Sequence, residues 1–174
     1  KIKKREKEIV EVSKSYNFNE VFNLELETTK VHEYSFNLII EKLNQLLNSI
    51  KPSILYVNNR SDIHTDHRIT FDVIMSITKT FKSPFIEYIF MYETLSETNF
   101  TPSLIYNAFI PNFYVDISNH LEEKINIMKI YKSEIQIHPF PRSEDSIRSL
   151  GILRGSESQF KYAESFMLLK GLWK

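Results

Sequence analysis

The chain has 174 residues, 42% hydrophobic and 25% charged, with 22 basic against 22 acidic side chains and a formal net charge of zero. That length and apolar share suit one domain with a sizeable core, while balanced charge gives no reason to expect nucleic acid or an anionic membrane surface as partner. There is no cysteine, which excludes disulfides, thiol nucleophiles and every cysteine-ligated metal site.

The chain opens Lys1-Ile2-Lys3-Lys4-Arg5, not with Met, and shows neither the apolar core nor the cleavage site of a signal peptide. It reads as a piece of something longer. Residues 5–15 are charged, with Ile9, Val10 and Val12 apolar, and predict a short amphipathic helix. Val21, Phe22, Leu24 and Leu26 alternate in a strand-like way. From about Val31 to Ile50 a wide apolar face recurs at helical spacing, and Pro52 stops it. Ile54-Leu55-Tyr56-Val57 is a short apolar run of the kind found in strands buried on both faces. A polar loop over 58–66 leads to a helix over 68–80.

Phe85 to Met91 predicts a second strand, Leu104 to Phe109 a short one, and Phe113 to Ile117 another. Asn119, with Glu122 three residues on, looks like a helix cap opening a helix to about Tyr131. Ser143-Glu144-Asp145 opens the last helix, ending near Gly155, and the aromatic tail 160–169 is expected to dock on the core. Strands alternating with helices predict an α/β fold, three layers around a mainly parallel sheet. No apolar run is long enough to span a membrane. Only Gly151, Gly155 and Gly171 are glycine, so no Gly-rich phosphate loop exists.

Chemistry concentrates after the first buried strand, in His64-Thr65-Asp66-His67. Ligand crevices of open α/β sheets lie outside the carboxyl ends of the strands. Two imidazoles and a carboxylate there can supply a metal ligand, an orienting group and an acid or base. The plainer alternative is that Asp66 caps the helix and the histidines are loop residues. A second cluster, His138-Pro139-Phe140-Pro141-Arg142-Ser143, puts Arg142 beside a helix N-terminus, where it could bind a carboxylate, phosphate or sugar hydroxyls, or could be a solvated turn residue. Arg5 and Glu8, one helical turn apart, are by default a surface ion pair.

In order along the chain, these pieces resemble the PIG-L / LmbE-like family of zinc-dependent N-deacetylases. Arg5-Glu6-Lys7-Glu8 is similar to the family's R-x-x-E helix start, and His64-Thr65-Asp66-His67 to its H-P-D-H motif, with Thr65 in place of Pro. Phe113-Tyr114-Val115-Asp116-Ile117 with Lys124, Tyr131 and Ser133 resembles its V-D-I…K…Y-x-S stretch. Pro141-Arg142-Ser143, Arg154-Gly155 and Tyr162-Ala163-Glu164-Ser165-Phe166 resemble its C-terminal signature.

The family's first motif, A-H-P-D-D-E, has no counterpart here. The resemblance therefore implies a three-layer Rossmann-like fold without its first β-α-β unit, and residues 1–174 as one N-terminally incomplete domain. It implies zinc (Zn2+) as cofactor with His67 as the one ligand on this chain. It implies His64 and Asp66 as catalytic residues, the imidazole stabilising the oxyanion or protonating the leaving amine and the carboxylate orienting that imidazole. Arg5 and Arg142 become substrate-binding residues. The expected substrate is an N-acetylglucosamine-type conjugate, the expected location the cytoplasm, and this stretch alone is expected to be inactive.

Two other readings stay open: a non-catalytic sugar-binding or scaffold domain of the same fold, and a metallo-β-lactamase-like hydrolase, whose H-x-H-x-D-H motif would require His where Asp62 stands. Exposed aromatics within residues 85–114 leave a homo-oligomer open.

Overall fold

The computed structural model describes residues 2–174, with side chains from residue 4 onward. The chain divides into two compact units. One comprises the chain up to Asn23 together with Tyr114–Glu164; the other comprises Leu24–Phe113 and Ser165–Lys174.

In the first unit, α1 spans Ile2–Ser15. It buries Glu8 and Val12 one helical turn apart. Strand β3 (Phe113–Asp116) contributes all but its first residue. Helix α4 runs Leu121–Met128 and buries Leu121 and Ile125, again four residues apart, each 1% exposed. Asn119 does not cap it: His120 stands at the cap position and makes no side-chain bond there. Instead the Asp116 carboxylate accepts the Ser118 amide (2.8 Å) and hydroxyl (2.5 Å), turning the chain before the helix. Nor does the helix reach Tyr131 as an α-helix; Ile130 and Tyr131 donate to carbonyls three residues back, a tighter turn.

Helix α5 (Glu144–Ser158) starts as predicted, with the Ser143 hydroxyl accepting the Ser146 amide at 3.1 Å. It runs past Gly155, whose place is fixed by close packing. A Cβ there would stand 2.6 Å from Phe160 O and 2.9 Å from Lys161 O.

In the second unit, Val31–Glu33 forms a separate 3₁₀ turn, because Tyr34 and Ser35 are extended. Helix α2 (Phe36–Ile50) follows, its first turn closed by Ser35 accepting Leu38 N–H at 3.2 Å. It ends at Lys51 in the left-handed region, ahead of Pro52. Strand β1 (Ile54–Asn58) pairs in parallel with β2 (Tyr88–Tyr92), Ile54 opposite Tyr88 and Asn58 opposite Tyr92. Helix α3 (Thr65–Ile77) is the crossover between them.

Strand β4 (Ala163–Gly171) lies antiparallel against β2, with Tyr92 opposite Phe166. Within the second unit the strand order is β1-β2-β4. The architecture is α/β, as the alternating pattern predicts. The core gathers Leu47, Val57, Ile74, Ile77, Ile86, Ile89 and Met91, each such burial contributing about 1.5–3 kcal/mol.

Three further sequence expectations differ. Val21–Leu26 is not a strand, because Glu25 has φ 56°, which no ladder geometry accommodates. β1 is not buried on both faces: it is a sheet edge, and Ile54 and Tyr56 are exposed while Val57 and Asn58 are buried. Leu104–Phe109 holds a single 3₁₀ turn, Ile105–Asn107, where the Asn107 amide closes on Leu104 O and its side chain on Pro102 O. No helix among the described residues is long and apolar enough to cross a membrane.

Candidate active site

The His-x-Asp-His motif lies where the second unit's β1 gives way to α3. His64 is the cap residue of α3, extended at φ −71°, ψ 125°. Its Nδ1 accepts the Asp66 amide at 3.1 Å. A ring nitrogen that accepts carries no proton, so the neutral imidazole holds its proton on Nε2. His64 therefore does the capping that the sequence offered to Asp66.

The Asp66 carboxylate turns elsewhere. It accepts the amides of Thr29 (2.7 Å) and Val31 (3.4 Å), fastening the segment in which Thr29 takes φ 68°. It stands 3.9 Å from His64 Nδ1, beyond a hydrogen bond. Asp66 thus reaches His64 through its backbone N–H rather than its carboxylate.

His67 has a different brace. Its Nδ1 lies 2.7 Å from Asp62 Oδ2. Asp62 is fully buried, and its other oxygen accepts the Thr98 hydroxyl at 2.6 Å. The hydrogen bond to Asp62 raises the His67 pKa above the ordinary histidine value; burial opposes this, and the charges of Asp62, Glu97 and Asp66 add to it. The backbone is held as well: the Asn58 side chain donates to His67 O (2.8 Å), and Arg68 donates to Asp62 O (3.0 Å) and Ile63 O (2.9 Å). The two imidazole rings are 5.3 Å apart at an angle of 31°.

Asp62 was missed as a functional residue, although it stood in plain view five positions before His67. An acid just past a strand pattern and five residues before a histidine is the available signal. A neighbouring loop is tied to the same turn, with Thr101 donating to Ser61 O, Arg60 to Tyr106 O, and the Ile63 amide to Glu97 O.

Arg5 and Arg142 belong to the first unit, and there the structure brings them together. Glu134 accepts from Arg5 Nη2 through one oxygen and from Arg142 Nη1, at 2.6 Å, through the other. Arg5 also lies 3.4 Å from Glu8 Oε2 and 4.9 Å from the Tyr131 ring centroid, with Ser133 Oγ at 3.4 Å. Arg142 lies 5.8 Å from the Phe140 ring centroid. The Arg5–Glu8 pair is more than a surface pair, since Glu8 is only 6% exposed. Glu134 carried no signal in the sequence, because its role depends on contacts made across about 130 positions of chain. Lys124 pairs with Glu164, while His120 makes only an exposed contact with Glu123.

Zinc binds in tetrahedral sites with three protein ligands when it is catalytic. His67 suits one such place: a carboxylate on Nδ1 fixes the ring and leaves Nε2 for a metal. Among the described residues, however, no group of three His, Asp or Glu side chains is arranged to hold an ion. The residues present fit one ligand of a metal centre and not a whole one.

A family model described as PIG-L, GlcNAc-PI de-N-acetylase, matches residues 1–78, the stretch that contains Arg5, Glu8 and the His64–His67 motif. No curated protein matches. Among solved structures, the conserved protein TT1542 from Thermus thermophilus is similar at 20% identity and TM-score 0.75, covering 99% of this chain and 76% of its own. The N,N'-diacetylchitobiose deacetylase of Pyrococcus horikoshii, solved with an inhibitor, is similar at 19% identity and TM-score 0.73, covering 97% of this chain and 64% of its own. GalB, a 4-carboxy-2-hydroxymuconate hydratase from a Pseudomonas, shares the fold at TM-score 0.63 and 10% identity, covering 99% of this chain and 73% of its own. Likeness at these identities establishes architecture, which different chemistries share. The chain carries the PIG-L signature over residues 1–78 and, along its length, the fold of the LmbE-like deacetylases.

Proposed function

We propose that the chain is part of a zinc-dependent hydrolase that removes the acetyl group from an N-acetylglucosamine-type conjugate. The observation that carries this reading is the pair of imidazoles at the start of α3, each engaged at Nδ1 and each left with Nε2. Asp62 braces His67 as the one metal ligand this chain supplies. His64 offers an Nε2–H, suited to donating to the amide oxygen as negative charge develops there or to the departing amine. Asp66 is a positioning residue, setting His64 through its amide and tying down Thr29–Val31. Arg5 and Arg142 are assigned to the sugar. The match of residues 1–78 and the deacetylase among the similar structures support the reading. It requires further metal ligands, of which no complete group stands among the described residues.

One observation favours a second reading, a sugar-binding domain without catalysis: no complete metal-ligand group exists among the described residues. Metal analysis of the full-length protein separates the two. One zinc per chain, lost together with acetate release in His67→Ala, supports the deacetylase. A folded protein that holds no zinc and releases no acetate overturns it.

A further inference from the structure

The carboxylate behind His67 has a second holder. Asp62 is fully buried, and among the described residues each of its carboxylate oxygens has one partner. Oδ2 lies 2.7 Å from His67 Nδ1, and Oδ1 accepts the Thr98 hydroxyl at 2.6 Å. The second is a short hydroxyl–carboxylate bond of the charge-assisted kind.

Thr98 comes from a different loop, as the first residue of the 3₁₀ turn Thr98–Phe100 that follows β2. Its hydroxyl has little freedom. The Thr98 amide donates to Thr94 O at 2.9 Å, and the Thr94 amide donates back to Thr98 Oγ1 at 2.8 Å. A threonine hydroxyl owns one proton. With its oxygen engaged by the Thr94 amide, that proton goes to Asp62, because a carboxylate only accepts. The bonds therefore run one way, from the Thr94 amide through the Thr98 hydroxyl and the Asp62 carboxylate to the His67 ring.

A carboxylate held only by a histidine could turn and exchange its oxygens. Thr98 engages Oδ1 and leaves Oδ2 for His67. Without that hydroxyl a fully buried oxygen would lose its partner, which is costly, and the carboxylate would be free to turn away from the ring. Docking of the loop does not depend on this bond alone. Thr101 donates to Ser61 O and the Ile63 amide to Glu97 O at 3.4 Å, and neither contact involves the Asp62 carboxylate.

We propose that Thr98 is a positioning residue for His67, acting through Asp62, and that its hydroxyl raises the affinity of the ring for a metal. This rests on the reading of His67 as a zinc ligand. It extends the holding of that ligand to the loop after β2.

The test compares full-length wild type with Thr98→Val, Thr98→Ser and Thr101→Val. The first readout is the His67 Nδ1 proton and ring nitrogens by NMR without zinc; the second is zinc affinity by competition with a chelator. Thr98→Val is expected to move the His67 signals and to weaken zinc roughly tenfold. Thr98→Ser keeps the hydroxyl and should restore both. Thr101→Val removes a hydroxyl from the same loop and should leave both unchanged. In an Asp62→Asn background, Thr98→Val should cost no further zinc affinity, since the group it acts through is already altered.

A folded Thr98→Val with wild-type His67 signals overturns the proposal, as does one that binds zinc at wild-type strength. So does Thr98→Ser that behaves as Thr98→Val, Thr101→Val that reproduces its effect, or a full additional loss in the Asp62→Asn background. Should Thr98→Val not fold, wild type still decides: the Thr98 hydroxyl proton should be protected from exchange, and a freely exchanging one overturns the proposal. The two readouts separate this inference from the zinc reading. His67 signals that follow Thr98 in a protein that takes no zinc keep the positioning role and lose zinc; zinc bound equally by wild type and Thr98→Val, with His67 signals unmoved, does the reverse.

Discussion

The histidine cluster at the start of α3 and the arginine cluster around Glu134 are built on opposite plans. The first is local: Asp62, His64, Asp66 and His67 fall within six residues, and a strand end, a tight turn and a helix start place them. The second is assembled from Arg5, Glu8, Tyr131, Ser133, Glu134 and Arg142, joined across about 130 positions of chain. A local cluster can be rigid at the level of individual ring atoms because the groups that hold the rings, the Asp66 amide on His64 and the Asp62 carboxylate on His67, sit on the same short stretch of backbone. A long-range ionic cluster is held by side chains alone, and its partners can be exchanged one at a time. Substitutions should therefore act sharply and specifically in the first cluster and gradually in the second.

The largest expected effect is that of His67→Ala, which removes the chain's one metal ligand on this account. Zinc content and acetate release of the full-length protein should both fall to background. His64→Ala removes the Nε2–H donor and should lower kcat by about 10²–10³ with zinc retained, read by steady-state kinetics beside metal analysis. Loss of zinc in that variant would show that His64 is a ligand and break the division of labour between the two rings. Asp62→Asn keeps the shape but removes the charge behind His67 Nδ1, and zinc affinity should fall about 10–100-fold, read by competition with a chelator. In the arginine cluster, Arg142→Lys should raise KM with kcat held, because uniform binding is lost without touching the reacting atoms.

The smallest effect concerns a surface cluster of the first unit. Arg148 is bonded to Glu122 and Glu144, and Lys129 to Glu144, which lowers both carboxyl pKa values below the ordinary 4.5. A group with a lowered folded pKa stabilises above its unfolded value and loses that contribution as pH falls through the folded one. These groups are solvent-exposed, so Arg148→Met should narrow the thermal-stability difference between pH 7 and pH 3 only slightly.

The same contrast between local and long-range explains what the sequence revealed. Helices α2, α3 and α5 and strand β1 were legible because periodicity and breakers are local signals, as with Pro52 after α2 and Ser143 at the cap of α5. The His64–His67 motif was legible for the same reason, although its inner roles were exchanged. His64 caps the helix, Asp66 binds the Thr29 and Val31 amides, and Asp62 takes the carboxylate role toward His67. Val21–Leu26 misled because alternation says nothing about the single residue, Glu25, that leaves the extended region. Glu134 could not be found at all, since nothing near it in sequence records that two arginines converge on it.

The most direct test of the account is the protonation pattern of the two imidazoles, read by long-range 1H–15N NMR of histidine-labelled full-length protein with and without zinc. His67 should carry its proton on Nδ1, facing Asp62, and zinc should shift its Nε2 alone. His64 should show the opposite tautomer, protonated on Nε2, and stay unshifted. Zinc that shifts His64 instead, or leaves both rings unchanged, would contradict the claim that Asp62 prepares His67 as a metal ligand beside a proton-donating His64.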